Sequence, residues 1–238
     1  MESFSKVDIF DTKGIEYLFV IGYLVVLIIF WNVVNRPEKI IERINKIKSL
    51  TIGALRIPQG LLFSRLHTWT HLEASGEAKV GIDDFIHHIA GDYQLNILRK
   101  PGDIIQKGDL ITQIAHDGKH LDLFSPISGT VSVANATLVE YPEILHDYPC
   151  EKTWVYKIKP MKWKEETQSY LMAEDATRWF NSEIERLKDF LAGGMSKFPA
   201  EPSMTMLQDG GEIRVNVLSE LPEVVWADFQ KEFLSSVT

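Results

Sequence analysis

Apolar positions fall along this chain in three regimes, and the changes between them mark out its parts. The first regime is continuous. Tyr17 to Val34 reads YLFVIGYLVVLIIFWNVV, with no charged side chain and Asn32 as its one strongly polar residue. At about 1.5 Å of rise per residue, roughly 18–20 residues match a hydrocarbon core of about 30 Å. Tyr17 and Trp31 stand towards the two ends, where aromatic rings favour the membrane–water boundary. The pattern predicts a single transmembrane helix over residues 17–35. A cleaved signal is not expected, because Glu2, Asp8, Asp11 and Glu16 outnumber Lys6 and Lys13 ahead of the run.

Orientation follows from the flanks. Arg36, Lys39, Arg43, Lys46 and Lys48 come directly after the apolar run. The positive-inside rule then leaves residues 1–16 as a short extracytoplasmic N-terminus and the C-terminal bulk in the cytoplasm, at a bacterial-type inner membrane. Residues 36–65 read as a juxtamembrane helix and linker. Within them Ile40, Ile41, Ile44 and Ile47 recur at helical spacing, after a bend at Pro37.

The second regime, residues 66–160, consists of short alternating runs punctuated by Gly and Pro. His67 to His71 begins a strand that Ala74-Ser75-Gly76-Glu77 turns back into Ala78–Val80. Asp83 is a candidate N-cap for a short helix that Gly91-Asp92 ends. Tyr93 to Ile97 is strand-like, and residues 99–103 and 106–109 are turns. Alternation then runs up to Ile114, and Leu121 to Phe124 follows after Asp117-Gly118. Asp-Gly is a strong hairpin signal, because a type I′ turn needs positive φ at both central residues. Ser125-Pro126-Ile127-Ser128-Gly129 breaks the ladder, and Thr130–Val133 starts another strand. The expected product is a small β-sandwich holding out an exposed turn with Lys119 at its tip. Glu140 to His146 reads as a helical turn, and Thr153 to Lys159 as a last strand.

The third regime, residues 161–238, returns to helical spacing as an α+β extension. Glu165 to Leu191 carries a stripe of Leu171, Phe180, Ile184, Leu187 and Leu191, with Gly193-Gly194 as the expected stop. A Pro-rich linker, Phe198 to Pro202, follows. Met204–Leu207 and Ile213–Val217 read as a second hairpin turned by Asp209-Gly210-Gly211. Leu221-Pro222 starts a final helix through Val225, Trp226, Phe229 and Phe233.

Charge and cysteine usage narrow the function classes. A formal net charge of -8 argues against a nucleic-acid partner, which calls for a basic face. The single cysteine, Cys150, excludes an intramolecular disulfide and a thiolate-rich metal site. No phosphate loop, H-E-x-x-H or Ser/His/Asp motif stands in a recognisable context, so no catalytic residue is expected. The histidine groups His67/His71, His87-His88 and His116/His120 offer imidazoles, the last two flanking the turn and able to face each other across it. No third ligand has a recognisable spacing, and no metal site is assigned.

One ordered set carries a family resemblance. His67-x-Trp69, Val80-Gly81-Ile82-Asp83-Asp84-Phe85, Gly91-Asp92, Pro101-Gly102, Lys107-Gly108, Ser125 to Gly129, Asn135, Pro142-Glu143 and Trp154 to Pro160 occur in sequence. Together they resemble the glycine cleavage system H protein. The resemblance implies a lipoyl/biotinyl-carrier-like β-sandwich (a barrel-sandwich hybrid) and, in the family, lipoamide carried on a hairpin lysine. The fold class expected for the whole chain is therefore mainly β with α, behind an N-terminal transmembrane helix.

The lysine is displaced. In the family the modified lysine stands ten residues after the glycine matching Gly108 and eight before the proline matching Pro126. In this chain both distances end on Gly118, and the nearest lysine is Lys119. A one-residue slip along a strand turns a side chain to the opposite face. The expectation is an accessory or scaffold subunit without catalysis of its own and without a cofactor. It would sit in the bilayer through residues 17–35 and dock, as part of a hetero-oligomer, on an integral membrane complex of respiratory or electron-transfer type. The alternative keeps lipoate on Lys119, shuttling electrons or acyl or aminomethyl groups to a membrane-bound enzyme.

Overall fold

The structure is a computed structural model that describes residues 9–34, 49–142, 144–147, 153–197 and 213–235. It divides into two compact units, Met1–Ile47 and Lys48–Thr238. Several expected features lie outside the described residues: the isoleucine stripe Ile40 to Ile47, Cys150, the linker Phe198 to Pro202, and Met204 to Gly211.

The first unit contains helix α1, Ile9–Val34. It starts eight positions before the expected span and so takes in Asp11, Lys13 and Glu16. The unbroken run of described side chains, Tyr17 to Ile28, is exposed throughout. Among the described residues no helix is long and apolar enough to cross a membrane. This corrects the single-pass helix expected at 17–35, and the inner-membrane localisation goes with it.

The second unit is mainly β with helices around it. In chain order it runs β1 (Ser49–Leu50), β2 (Leu62–Phe63), β3 (Thr68–Leu72), β4 (Ala78–Ile82), α2 (Asp84–Ala90) and β5 (Gln94–Ile97). Next come β6 (Ile104–Ile105), β7 (Leu110–His116), β8 (Lys119–Phe124), β9 (Gly129–Ala134), α3 (Thr137–Glu140) and α4 (Ile144–Asp147). It ends with β10 (Trp154–Pro160), α5 (Trp163–Thr167), α6 (Ala173–Lys197), β11 (Ile213–Arg214) and α7 (Glu223–Phe229), which runs on into a π turn, Gln230–Leu234. Six strands form one sheet in the order β2-β3-β4-β10-β9-β6, and three form another in the order β5-β7-β8. Val80, Ile82, Val131 and Ile158 of the first and Ile114, Leu121 and Leu123 of the second belong to one buried core.

Local chemistry accounts for these elements. Asp83 caps α2 as expected, its carboxylate accepting from Ile86 N at 3.1 Å. Gly81 lies beneath Trp69, where a Cβ would stand 2.5 Å from ring atom Cε2. The indole Nε1 donates to Ile82 O at 2.9 Å, so this large ring is buried with its one polar atom satisfied. Gly129 opens β9 where a Cβ would run into Lys159 O and stand 2.6 Å from Ile158 Cγ2. Only a glycine lets β9 and β10 pair at that point.

The extension departs from its sequence pattern in three places. The helix expected over 165–191 is two helices, α5 and α6. Leu171 in the break pairs with Phe63 by backbone hydrogen bonds of 2.9 and 3.0 Å. Covering the open edge of β2 therefore outweighs helical propensity at residues 168–172. Gly193-Gly194 does not end α6, which continues to Lys197. Finally, β11 is two residues long and pairs with β1. The positive φ of 62° at Asn216 turns the chain away from the strand expected through Val217.

Candidate functional site

The β7–β8 hairpin turns as its sequence dictates. Asp117 and Gly118 have φ values of 46° and 80°, the pair of left-handed residues that a type I′ turn requires. Both are exposed, and a side chain at Gly118 would meet nothing within 4 Å. The turn tip is therefore Asp117-Gly118, and Lys119 is not at it. Lys119 opens β8, half-buried, opposite His116.

What surrounds Lys119 comes from 100 residues further on. Its Nζ donates to Ser219 O at 2.6 Å and to Leu221 O at 3.0 Å. The same nitrogen lies 5.3 Å from the ring centroid of Trp226, within cation–π reach. Trp226 is buried, and its Nε1 donates to Leu218 O at 2.7 Å. His116 stacks on the same indole with centroids 6.2 Å apart. Three residues along β8, Gln230 closes on Asp122: Oε1 accepts from Asp122 N at 2.7 Å, and Nε2 donates to Asp122 O at 3.2 Å. Residues 218–230 thus grip one side of the hairpin from its first lysine down along β8.

The histidines do not assemble into a site. A two-residue turn pairs His116 with Lys119 and Ala115 with His120. The two imidazoles therefore lie on opposite faces of the hairpin rather than facing each other. His71 Nδ1 binds Gly60 O at 3.1 Å and His88 Nδ1 binds Asp84 O at 2.7 Å. His87 Nδ1 shares a hydrogen bond with the Tyr93 hydroxyl, and His116 Nδ1 bonds to Asp92 O. Among the described residues, no three His, Cys, Asp or Glu side chains could hold a metal ion together.

His67 is different: it is fully buried and ion-paired on both ring nitrogens. Nδ1 lies 2.8 Å from Asp83 Oδ2, and Nε2 lies 3.6 Å from Glu183 Oε2 on α6. The ring is stacked 4.7 Å from Phe85, with Trp179 at 5.1 Å. Burial alone pushes the imidazole pKa down. The Asp83 carboxylate, with Glu183 adding to it, outweighs that and raises it to about 9. Sequence reasoning did not single out Glu183, although a signal was present. It sits between Phe180 and Leu187 on the apolar face of α6, three residues after one and four before the other, where a carboxylate needs a partner.

The loop Ser125–Gly129 is held in the same manner. Glu166 of α5 accepts from Ser128 N at 2.7 Å and from its hydroxyl. Lys107 Nζ donates to Glu166 O at 3.0 Å and lies 4.6 Å from the Tyr170 ring centroid. The Tyr170 hydroxyl donates to Pro126 O, and burial pushes its pKa up.

The family model described as "Glycine cleavage H-protein" matches residues 61–183, just over half of the chain. A "Probable glycine cleavage system H protein" of Pyrococcus furiosus is 29% identical over 125 residues, covering 52% of this chain and 92% of the relative. A "Glycine cleavage system H protein" of Hydrogenovibrio crunogenus is 34% identical over 104 residues, covering 44% of this chain and 81% of the relative. Among solved structures, a glycine cleavage system H protein from Mycobacterium marinum matches with a TM-score of 0.44 and 22% identity. It covers 53% of this chain and 99% of that one.

Proposed function

The chain belongs to the glycine cleavage H-protein family, and from that premise we propose that it is a non-catalytic scaffold with a lipoyl-carrier-type sandwich whose carrier lysine has been retired. The observation that carries this reading is the state of Lys119. An amine that acts as a carrier attachment point must reach an acylating enzyme as a free nucleophile on a protruding turn. Here the nitrogen donates to two carbonyls and lies over the face of an indole, all supplied by the chain's own C-terminal segment. The exposed turn position is Gly118, which has no side chain to modify.

The segments added around the sandwich serve contact rather than turnover. The partner is accordingly a protein assembly in which this chain is one of several different subunits. The membrane complex suggested by the sequence loses its motivation with the correction to α1. A second reading keeps Lys119 as a lipoylated carrier, as the family resemblance implies. It requires residues 218–226 to lift off the hairpin.

The two readings part at Lys119→Arg, which cannot form the lipoyl amide but keeps a cation over Trp226. At native expression, the wild-type chain is expected to migrate on sizing columns with a larger assembly, and the variant to do the same with no loss of that assembly's activity. Loss of activity with assembly intact would establish the carrier. Migration of the wild-type chain alone would sink the scaffold.

A further inference from the structure

A line of charged side chains, buried at Asp83, His67 and Glu183 and ending on the partly exposed Arg186, connects the family domain to the C-terminal segment. It starts at Asp83, at the N-terminus of α2, and passes through His67 to Glu183 on α6. Glu183 Oε1 in turn accepts from Arg186 Nη1 at 2.9 Å. Arg186 lies 4.0 Å from the ring centroid of Phe233 and donates from Nη2 to Glu232 O at 3.0 Å, both in the π turn. Phe233 also stands 6.5 Å from His67 and 4.5 Å from Phe229. The π turn and the helix α7 before it hold the hairpin, through Gln230 on Asp122 and Trp226 beneath Lys119.

The chemistry of this line is unusual for a purely structural element. His67, Asp83 and Glu183 are all buried, and His67 Nε2 and Glu183 Oε2 have no hydrogen-bond partner although they face each other. An apolar set of similar volume would pack at least as well, since buried ion pairs seldom add net stability over packed hydrophobic groups. What such a pair adds is a defined geometry between the elements that carry it.

We propose that His67 and Glu183 are positioning residues that seat the C-terminal segment on the β7–β8 hairpin, so that the shielding of Lys119 is set by a buried contact on α6. The segment has two arrangements, seated and lifted. The Asp83–His67–Glu183–Arg186 line favours the seated one by fixing Arg186 against Phe233 and Glu232. The inference rests on the scaffold reading, because it explains how the amine is kept closed. The charged groups facing His67 are Asp83 and Glu183, with Arg186 behind Glu183; the titratable neighbours of Lys119 in the hairpin are His116 opposite it and Asp117 and His120 along the chain.

The test is amine acylation of the full chain by acetic anhydride, read by mass on the peptide containing Lys119 and divided by the acylation of exposed Lys164. That ratio cancels the shared dependence of amine reactivity on pH. Glu183→Gln is expected to raise the ratio by about tenfold, mid-range for coupling between two sites. In the wild-type chain the ratio is expected to climb as pH passes through the His67 pKa of about 9. The wild-type profile needs no variant to fold. An unchanged ratio in Glu183→Gln together with a flat wild-type profile would overturn the coupling. That result would leave the scaffold reading standing, because that reading is decided separately, by co-migration with an assembly and by the modification state of Lys119.

Discussion

Trp226→Ala is expected to destabilise the second unit by about 3–5 kcal/mol, the usual range for emptying a buried tryptophan site. Three effects act together. The indole is buried in the same core as Val225, Phe229 and Leu218. Its Nε1 donates to Leu218 O, which keeps only the Leu221 N–H when the ring goes. It is also the surface on which Lys119 and His116 rest. The loss is read as a lowered urea midpoint. Hydrogen exchange shows where it falls, and residues 213–235 should lose protection before the two sheets do. A midpoint unchanged within about 0.5 kcal/mol, the level of an ordinary surface substitution, would mean that the segment does not depend on this ring.

Alkaline pH should have an effect of similar size through His67. The folded pKa, about 9, lies above the ordinary 6.5. The unfolded state thus loses its proton first as pH rises. The stability contributed is fully present below pH 6.5 and is lost as pH climbs through about 9. The total is on the order of 3 kcal/mol, from a shift of that size in a fully buried ring. Urea midpoints measured across that range should fall on the alkaline side in the wild-type chain. His67→Asn should flatten the profile, since Asn tolerates the φ of 57° at this position and does not titrate. A wild-type midpoint that stays level to about pH 10 would show that the imidazole is neutral in the folded chain.

Much of the second unit could be read from the chain because its signals are local. Asp117-Gly118 specifies its own turn, Asp83 caps the helix that follows it, and Ser125 to Gly129 ends one ladder and begins another. Gly81 and Gly129, picked out as family markers, turn out to stand where a Cβ would meet the Trp69 ring and the β10 backbone. The larger departures are non-local. The break at residues 168–172 answers the edge of β2, more than 100 positions earlier. Trp226 and Leu221 were recognisable as part of a final helix, but nothing in their spacing tells that they close over Lys119. The span at residues 17–35 rested on composition alone, and the described helix did not support it.

The central claim is that the hairpin lysine is closed by the chain itself and carries nothing. Its most direct test is the mass of the peptide from Ala115 to Phe124, taken from protein isolated at native expression. The account predicts the unmodified mass, with Lys119 intact. A lipoyl-sized addition on Lys119 would contradict it, and would mean that the C-terminal segment lifts in the cell and that the chain is a carrier.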